Sequence, residues 1–296
     1  MEPEPSTTTH AAESSPPGGR ARDGMALCLS GGGYRAALFH LGAVRRLNEL
    51  GILGRLDTVS AVSGGSIVAN LLADPRLGFA DRPGRAGEPP PDGVVGGFEE
   101  LVAEPLRRLA STNIRTRALL ARLRPTQWRT PDAAVRALAD QFAGAVPWWS
   151  RPLRDNAVAG PAVITGATDV AYGVDWIFED PSAHRPHGRI GDYRVGYAAP
   201  PASLRIADVV ATSCAFPPFF APLVLDADEL GLVGGHPGLE SEAERGAIRR
   251  RVRLTDGGVY DNLGLEPVWK RYESILVSDG GRPVEDDLQP ADDWAR

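Results

Sequence analysis

Ser63 stands in the run Ala61-Val62-Ser63-Gly64-Gly65, at a point where a strand is expected to turn sharply into a helix. That setting makes its hydroxyl a candidate nucleophile. The preceding residues, 57–62, are rich in β-branched types and predict a short buried strand. The following run, Ser66 to Ala73, predicts the start of a helix. A serine on so tight a bend needs small neighbours two places before and two places after. Ala61 and Gly65 meet that need, and Gly64 adds to it. This is the steric content of the G-x-S-x-G elbow, with an alanine in the first glycine's place that is still small enough. The bend also aims a helix N-terminus at the reacting carbon, so that N–H groups meet developing negative charge. Taken alone, the pentapeptide fits a plain loop or a phosphate-binding turn as well.

A second group lies upstream. Residues 25–30 predict a buried strand, and Gly31-Gly32-Gly33-Tyr34-Arg35 follows. Ala37, Leu41, Val44 and Leu47 then recur at helical spacing opposite Arg45, Arg46 and Glu49, until Gly51 ends the helix. Three glycines between a strand and a helix leave N–H groups uncovered, able to bind a phosphate or an oxyanion. The phosphate motifs are incomplete. No lysine supplies a Walker loop, and Ala36 stands where a dinucleotide fingerprint needs its third glycine. Arg35 either lends positive charge to the loop or makes a surface salt bridge.

A third group lies far downstream. Residues 251–255 alternate as a strand with one wet face, and Asp256-Gly257-Gly258 follows. A carboxylate at a strand end with two glycines behind it can enter a cleft and take the proton of Ser63 directly. Locally, the same residues also describe an ordinary Asp-Gly turn. A second Asp-Gly-Gly, 279–281, follows the strand-like 274–278. The histidines are His10, His40, His184, His187 and His236, and none follows Asp256. The Ser, acid, His order of an α/β-hydrolase triad is therefore excluded with this acid. His40 falls beside the apolar face of its helix and is expected to pack there. His184 and His187 stand beside Arg185 and Arg189 without cysteine partners, so no metal site is expected. No cofactor is expected either.

Together these residues resemble the patatin-like phospholipase family over about 24–281. Gly31 to Arg35 is similar to its G-G-G-x-[RK] motif, Ala61 to Gly65 to its elbow, and Asp256-Gly257-Gly258 to its D-G-[GA] motif, with Asn262 where an asparagine is common. Residues 164–169 and 211–220 are weaker matches. The resemblance implies a Ser63–Asp256 dyad that cleaves acyl esters of lipids. It implies an oxyanion hole from Gly31, Gly32, Gly33, Arg35 and Gly64, supported by Ala61, Gly65, Gly257, Gly258 and Asn262. Asp256 is preferred to Asp279 because Tyr260 to Gly264 fits the family pattern and Arg282-Pro283-Val284 does not. A non-catalytic phosphate- or nucleotide-binding α/β domain and an esterase for small soluble esters are the alternatives.

The elements that must position these groups alternate. Strand, glycine loop, helix, strand, elbow and helix over 25–73 imply a parallel sheet with helices on its faces and a site beyond the strand carboxyl ends. The expected fold is a three-layer α/β/α arrangement with a mostly parallel central sheet and a helical insertion at about 98–143. Strands are expected to resume at 162–166 and 172–178, and a helix at 203–213 with Ser203 as N-cap. Loops are expected at 74–97 and 229–247. Cys28 and Cys214 are read as buried free thiols. Phe216 is expected in the core and Phe219 and Phe220 along an acyl pocket, while Trp148 and Trp149 fit either core or cleft rim.

The chain has 296 residues, of which 43% are hydrophobic, enough for a substantial core. A net charge of −6 argues against nucleic acid as a partner. Residues 1–23 lack the apolar stretch of a signal peptide and are expected to be a disordered tail. No run reaches the length of a membrane span. A cytoplasmic protein is expected, with transient contact at a membrane surface compatible with a lipid substrate. Residues 282–296 are an acidic segment whose ending suits truncation or a piece of a longer chain. Oligomeric state is not legible.

Overall fold

Four strands run parallel at the heart of the sheet. β1 (Met25–Leu29) lies between β2 (Thr58–Val62) and β9 (Ser274–Ser278), and β2 lies beside β3 (Ala162–Asp169). Beyond β3 the sheet continues antiparallel through β4 (Val174–Glu179), β5 (Arg189–Asp192) and β6 (Gly196–Ala198). β2, β3 and β4 are buried along their whole length, as strands covered on both faces must be. The computed structural model describes residues 22–79, 92–114, 116, 118, 132–157, 159–182 and 187–281. The expectations for residues 1–21, 80–91, 119–131 and 282–296, and for His10 and His184, lie outside them. The fold is the expected α/β class: a mostly parallel central sheet, not closed, packed with helices and continued by an antiparallel wing.

The helices follow the apolar spacing. α1 (Gly33–Glu49) buries Ala37, Leu41 and Val44, and α2 (Gly64–Leu72) is buried at every residue. A π-helical turn (Glu99–Ala103) leads into α3 (Glu104–Ala110), and α4 (Ala133–Ala145) packs against α5 (Ile206–Ser213). These helices and one face of the sheet share the main core, while Ala26, Cys28 and Val268 form a small cluster of their own.

Two local expectations are corrected. Ser203 does not cap α5: Arg205 holds that position, and its N–H donates to Asp208 Oδ2 at 3.0 Å. The loop at 229–247 contains the start of α6 (Glu242–Arg249), capped by Ser241, whose Oγ accepts from the Glu244 N–H. The Ser241-x-x-Glu244 pattern is a capping box and was readable as one. β5, β6 and β7 (Leu223–Leu225) are too short to carry a period.

The arrangement that matters for the site is the edge of β3. Its first five residues pair with β2, ending at Val62↔Gly166. Its last three pair antiparallel with β8 (Val252–Asp256), ending at Asp256↔Ala167. β2 and β8 therefore meet head to head along one edge, their carboxyl ends converging between two consecutive residues of β3. Asp256 reaches the site on an antiparallel strand, not on one of the parallel set that carries the glycine loop and Ser63.

Candidate active site

Ser63 is the single residue between β2 and α2, and it adopts φ 49, ψ −122. A non-glycine residue so placed costs about 1–3 kcal/mol and persists only where its surroundings hold it. The Ser63 N–H donates to Ser213 Oγ at 2.9 Å, and that hydroxyl donates to the Gly166 carbonyl at 2.6 Å. The Ser63 carbonyl accepts from the Ser66 N–H (2.9 Å), the Ser66 hydroxyl (2.6 Å) and the Cys214 thiol (3.3 Å). The neighbouring glycines are required by space. A β-carbon on Gly64 would run into the Gly33 carbonyl oxygen, and one on Gly65 into that of Leu29. Ala61 is fully buried in the main core.

Ser63 holds the N-cap position of α2, yet its hydroxyl makes no capping bond. Oγ donates instead to Asp256 Oδ2 at 2.7 Å. The other carboxylate oxygen accepts from the Gly258 N–H at 2.8 Å, and Thr168 Oγ1 donates to the Asp256 carbonyl at 2.9 Å. Gly257 lets the turn close, since a β-carbon there would lie 2.7 Å from Val62 Cγ1. Asp256 is 1% exposed. Burial pushes its carboxyl up to about 6, against the opposing pull of the Ser63 and Gly258 hydrogen bonds. It is thus mostly ionised at neutral pH and more basic than an ordinary aspartate.

Gly32 (φ 135) and Gly33 (φ 64) line the same cleft. Neither α1 nor α2 has a side-chain cap, and among the described residues no acceptor meets the N–H of Gly32, Gly33 or Gly64. Two residues grouped with them in the sequence stand apart. The Gly31 N–H is taken by the Asn262 carbonyl at 2.9 Å. Arg35 is exposed, lies outside the cleft lining and makes no ion pair among the described residues. Asn262 lines the cleft, and its Oδ1 fills the space left by the missing β-carbon of Gly258, which would lie 2.6 Å away.

The rival acid is elsewhere. Asp279 is exposed at the end of β9, and its carboxylate accepts from the Gly281 N–H at 2.8 Å. His40 is fully buried away from the cleft, while His187 and His236 are exposed. Among the described residues no group of three or more His, Cys, Asp or Glu side chains is placed to hold a metal ion.

The cleft has a volume of about 760 Å³. Ile67, Ile114, Leu138 and Phe142 give it an apolar wall, and Ser111, Thr112 and Asn113 a polar corner. Phe216, expected in the core, is 53% exposed and lines the cleft with Phe219 and Phe220. Cys214 also lines it and is only half-buried. Burial raises its thiol well above the ordinary range, which keeps it a neutral donor to Ser63. Trp149 is core: it is fully buried edge-on to Phe142, its indole N–H donating to the Asn70 carbonyl at 3.3 Å. Ser213 and Thr168 lie in the two weaker family-like segments, but their roles were not legible in the sequence, because each acts on a residue brought near only by folding.

No curated protein matches the chain. Among solved structures, human GIVD cytosolic phospholipase A2 aligns at 13% identity and TM-score 0.49, over 86% of this chain and 42% of that one. VipD from Legionella pneumophila aligns at 14% and 0.37, over 86% and 49%. Full-length ExoU with SpcU, from the type III secretion system of Pseudomonas aeruginosa, aligns at 17% and 0.29, over 66% and 38%. The chain thus spans less than half the length of these structures. No helix among the described residues is long and apolar enough to cross a membrane. The family model described as patatin-like phospholipase matches residues 27–143, a stretch holding the glycine loop, Ser63 and the cleft's helical wall but not Asp256. Over that stretch the chain matches the patatin-like phospholipase family.

Proposed function

We propose that this chain is a lipid acyl hydrolase that cleaves carboxylic esters of phospholipids or related acyl lipids through Ser63 and Asp256. The 2.7 Å hydrogen bond from Ser63 Oγ to Asp256 Oδ2, at a buried carboxylate beside an apolar cleft, carries this reading. Oγ attacks the ester carbonyl carbon while its proton passes to Asp256. The carbonyl oxygen becomes an oxyanion facing the free N–H groups of Gly32, Gly33 and Gly64. Collapse breaks the bond to the alcohol, which leaves with the proton held by Asp256. Water, deprotonated by Asp256, then attacks the acyl-enzyme, frees the acid and restores the serine. The apolar wall suits an acyl chain, and the exposed Phe216 and Phe219 suit contact with a lipid surface. The catalytic unit is taken as 24–281, with residues 110–114, Leu138 and Phe142 walling the cleft.

The test is hydrolysis of a defined phospholipid panel, with labelling by a fluorophosphonate. Wild type should hydrolyse and label at Ser63. Ser63→Ala and Asp256→Ala should each lose nearly all turnover, and the double variant should be little worse, because the pair acts as a unit. Normal hydrolysis by Ser63→Ala, or an inactive Asp279→Ala beside an active Asp256→Ala, would refute the assignment. Tight phosphate-ligand binding without labelling would favour a binding domain, and activity confined to short water-soluble esters a small-ester esterase.

A further inference from the structure

His40 takes no part in the dyad, yet it sits where α1 meets the ends of β1 and β9. It is fully buried on α1. Its Nε2 lies 2.9 Å from the Ser30 carbonyl oxygen and its Nδ1 2.8 Å from Ser278 Oγ. A carbonyl can only accept, so Nε2 carries the proton. In the neutral ring Nδ1 then accepts from the Ser278 hydroxyl. Burial favours that neutral form by lowering the imidazole below its ordinary range.

Ser30 is the residue immediately before the three glycines, and every polar atom it has is engaged. Its carbonyl also accepts from Gly65 N–H of the elbow helix at 3.1 Å, and its N–H donates to the Ser278 carbonyl at 3.1 Å. Its hydroxyl accepts from Gly280 N–H at 2.8 Å. Gly280 is pressed against α1 so closely that a β-carbon on it would lie 2.9 Å from Ala36 Cα and 3.3 Å from His40 Cε1. One imidazole therefore ties α1 to the end of β1, through the carbonyl that also holds the start of α2, and to the end of β9, through the Ser278 hydroxyl.

We infer that His40, as its neutral Nε2–H tautomer, is a positioning residue for the reaction: by holding the Ser30 carbonyl it sets the glycine-loop N–H groups in register with that of Gly64, so that all face one oxyanion. The inference rests on the Ser63–Asp256 reading above.

The test compares a short-chain aryl ester with its thionoester. Sulfur accepts hydrogen bonds poorly and sits farther from carbon, so the ratio of the two rates reports how well the N–H donors are placed. In His40→Phe, which keeps the ring and loses both nitrogens, kcat should fall about 10- to 100-fold with KM within twofold, as for a sub-ångström misplacement. The ester-to-thionoester ratio should fall with it. His40→Gln, whose amide N–H can still reach the Ser30 carbonyl, should recover most of both. Ser278→Ala should lower the ratio by a smaller factor. A His40→Phe variant with wild-type kcat, or one that loses both rates equally, overturns the inference. So does a His40→Gln no better than His40→Phe. If His40→Phe does not fold, an unchanged ratio in Ser278→Ala overturns it. Ser63→Ala is the control: its retained activity defeats the dyad, whereas an inactive Ser63→Ala beside an unaffected His40→Phe defeats only the role of His40.

Discussion

Val62 and Asp256 are paired with consecutive residues of one strand, Gly166 and Ala167, although they lie far apart in the sequence. The two strands run toward each other along the same edge of β3. Ser63, one residue past Val62, is delivered to the carboxylate of Asp256 at 2.7 Å across 193 positions of sequence. The catalytic pair proposed above is thus placed by strand register, with no long side-chain relay needed to span it.

A pH dependence follows from the burial of Asp256. The base must be ionised, so kcat/KM should fall with unit slope as the pH drops below about 6, the value to which burial raises this carboxyl. A profile flat down to pH 4.5 would contradict this.

Stability should move the other way. Below 3.8 the carboxyl is protonated folded and unfolded alike and burial carries no charge cost. Between 3.8 and about 6 the folded protein keeps a proton that the unfolded chain has lost, so stability falls as pH rises through that window. Asp256→Asn bears no such cost. Its advantage over wild type should appear as pH rises through the window and level off above 6 at about 2–3 kcal/mol. Urea titrations at pH 4 and pH 8 measure it.

The strained backbone of Ser63 predicts a difference between two inactive variants. Ser63→Ala keeps a β-carbon at φ 49, whereas Ser63→Gly does not. The glycine variant should be the more stable of the two by about 1 kcal/mol, strain relief outweighing the entropy of an added glycine. Thermal melts of both variants decide it.

Small residues around the elbow should differ sharply in tolerance. Gly64→Ala drives a methyl into the Gly33 carbonyl, so it should cost several kcal/mol or displace the glycine loop and abolish turnover. Ala61→Gly should retain activity and lose only about 0.5–1 kcal/mol in stability. Equal activity in the two would refute the steric account of the bend.

The aromatic rim predicts a dependence on substrate form. Phe216 and Phe219 are about half exposed at the cleft. Replacing both by serine should weaken hydrolysis of vesicle phospholipid at least tenfold while changing that of a short water-soluble ester by less than twofold. Equal losses on both substrates would place these rings in the packing of the cleft instead.

The alternation of strands, glycine turns and helices over 25–73 was legible in the sequence, because period, β-branching and small residues are local properties. Ser63 could be read as a nucleophile for the same reason: the bend demands small neighbours that the sequence displays. Asp256 could be preferred to Asp279 only through the family resemblance at Tyr260 to Gly264, since Asp256-Gly257-Gly258 and Asp279-Gly280-Gly281 look alike locally. What separates them is that β8 abuts the end of β2 on β3, whereas β9 lies across the sheet beyond β1. Strand order depends on which faces bury together, and no window of sequence contains it. The same holds for the Gly31 N–H spent on Asn262, for Arg35 turned to solvent, for Phe216 at the cleft and for the Ser213 hydroxyl that holds Ser63. The sequence by itself determined the local bend and the residues able to do the chemistry. Only the tertiary structure decided which carboxylate and which N–H groups surround the hydroxyl, because those contacts join segments that meet only when the sheet forms.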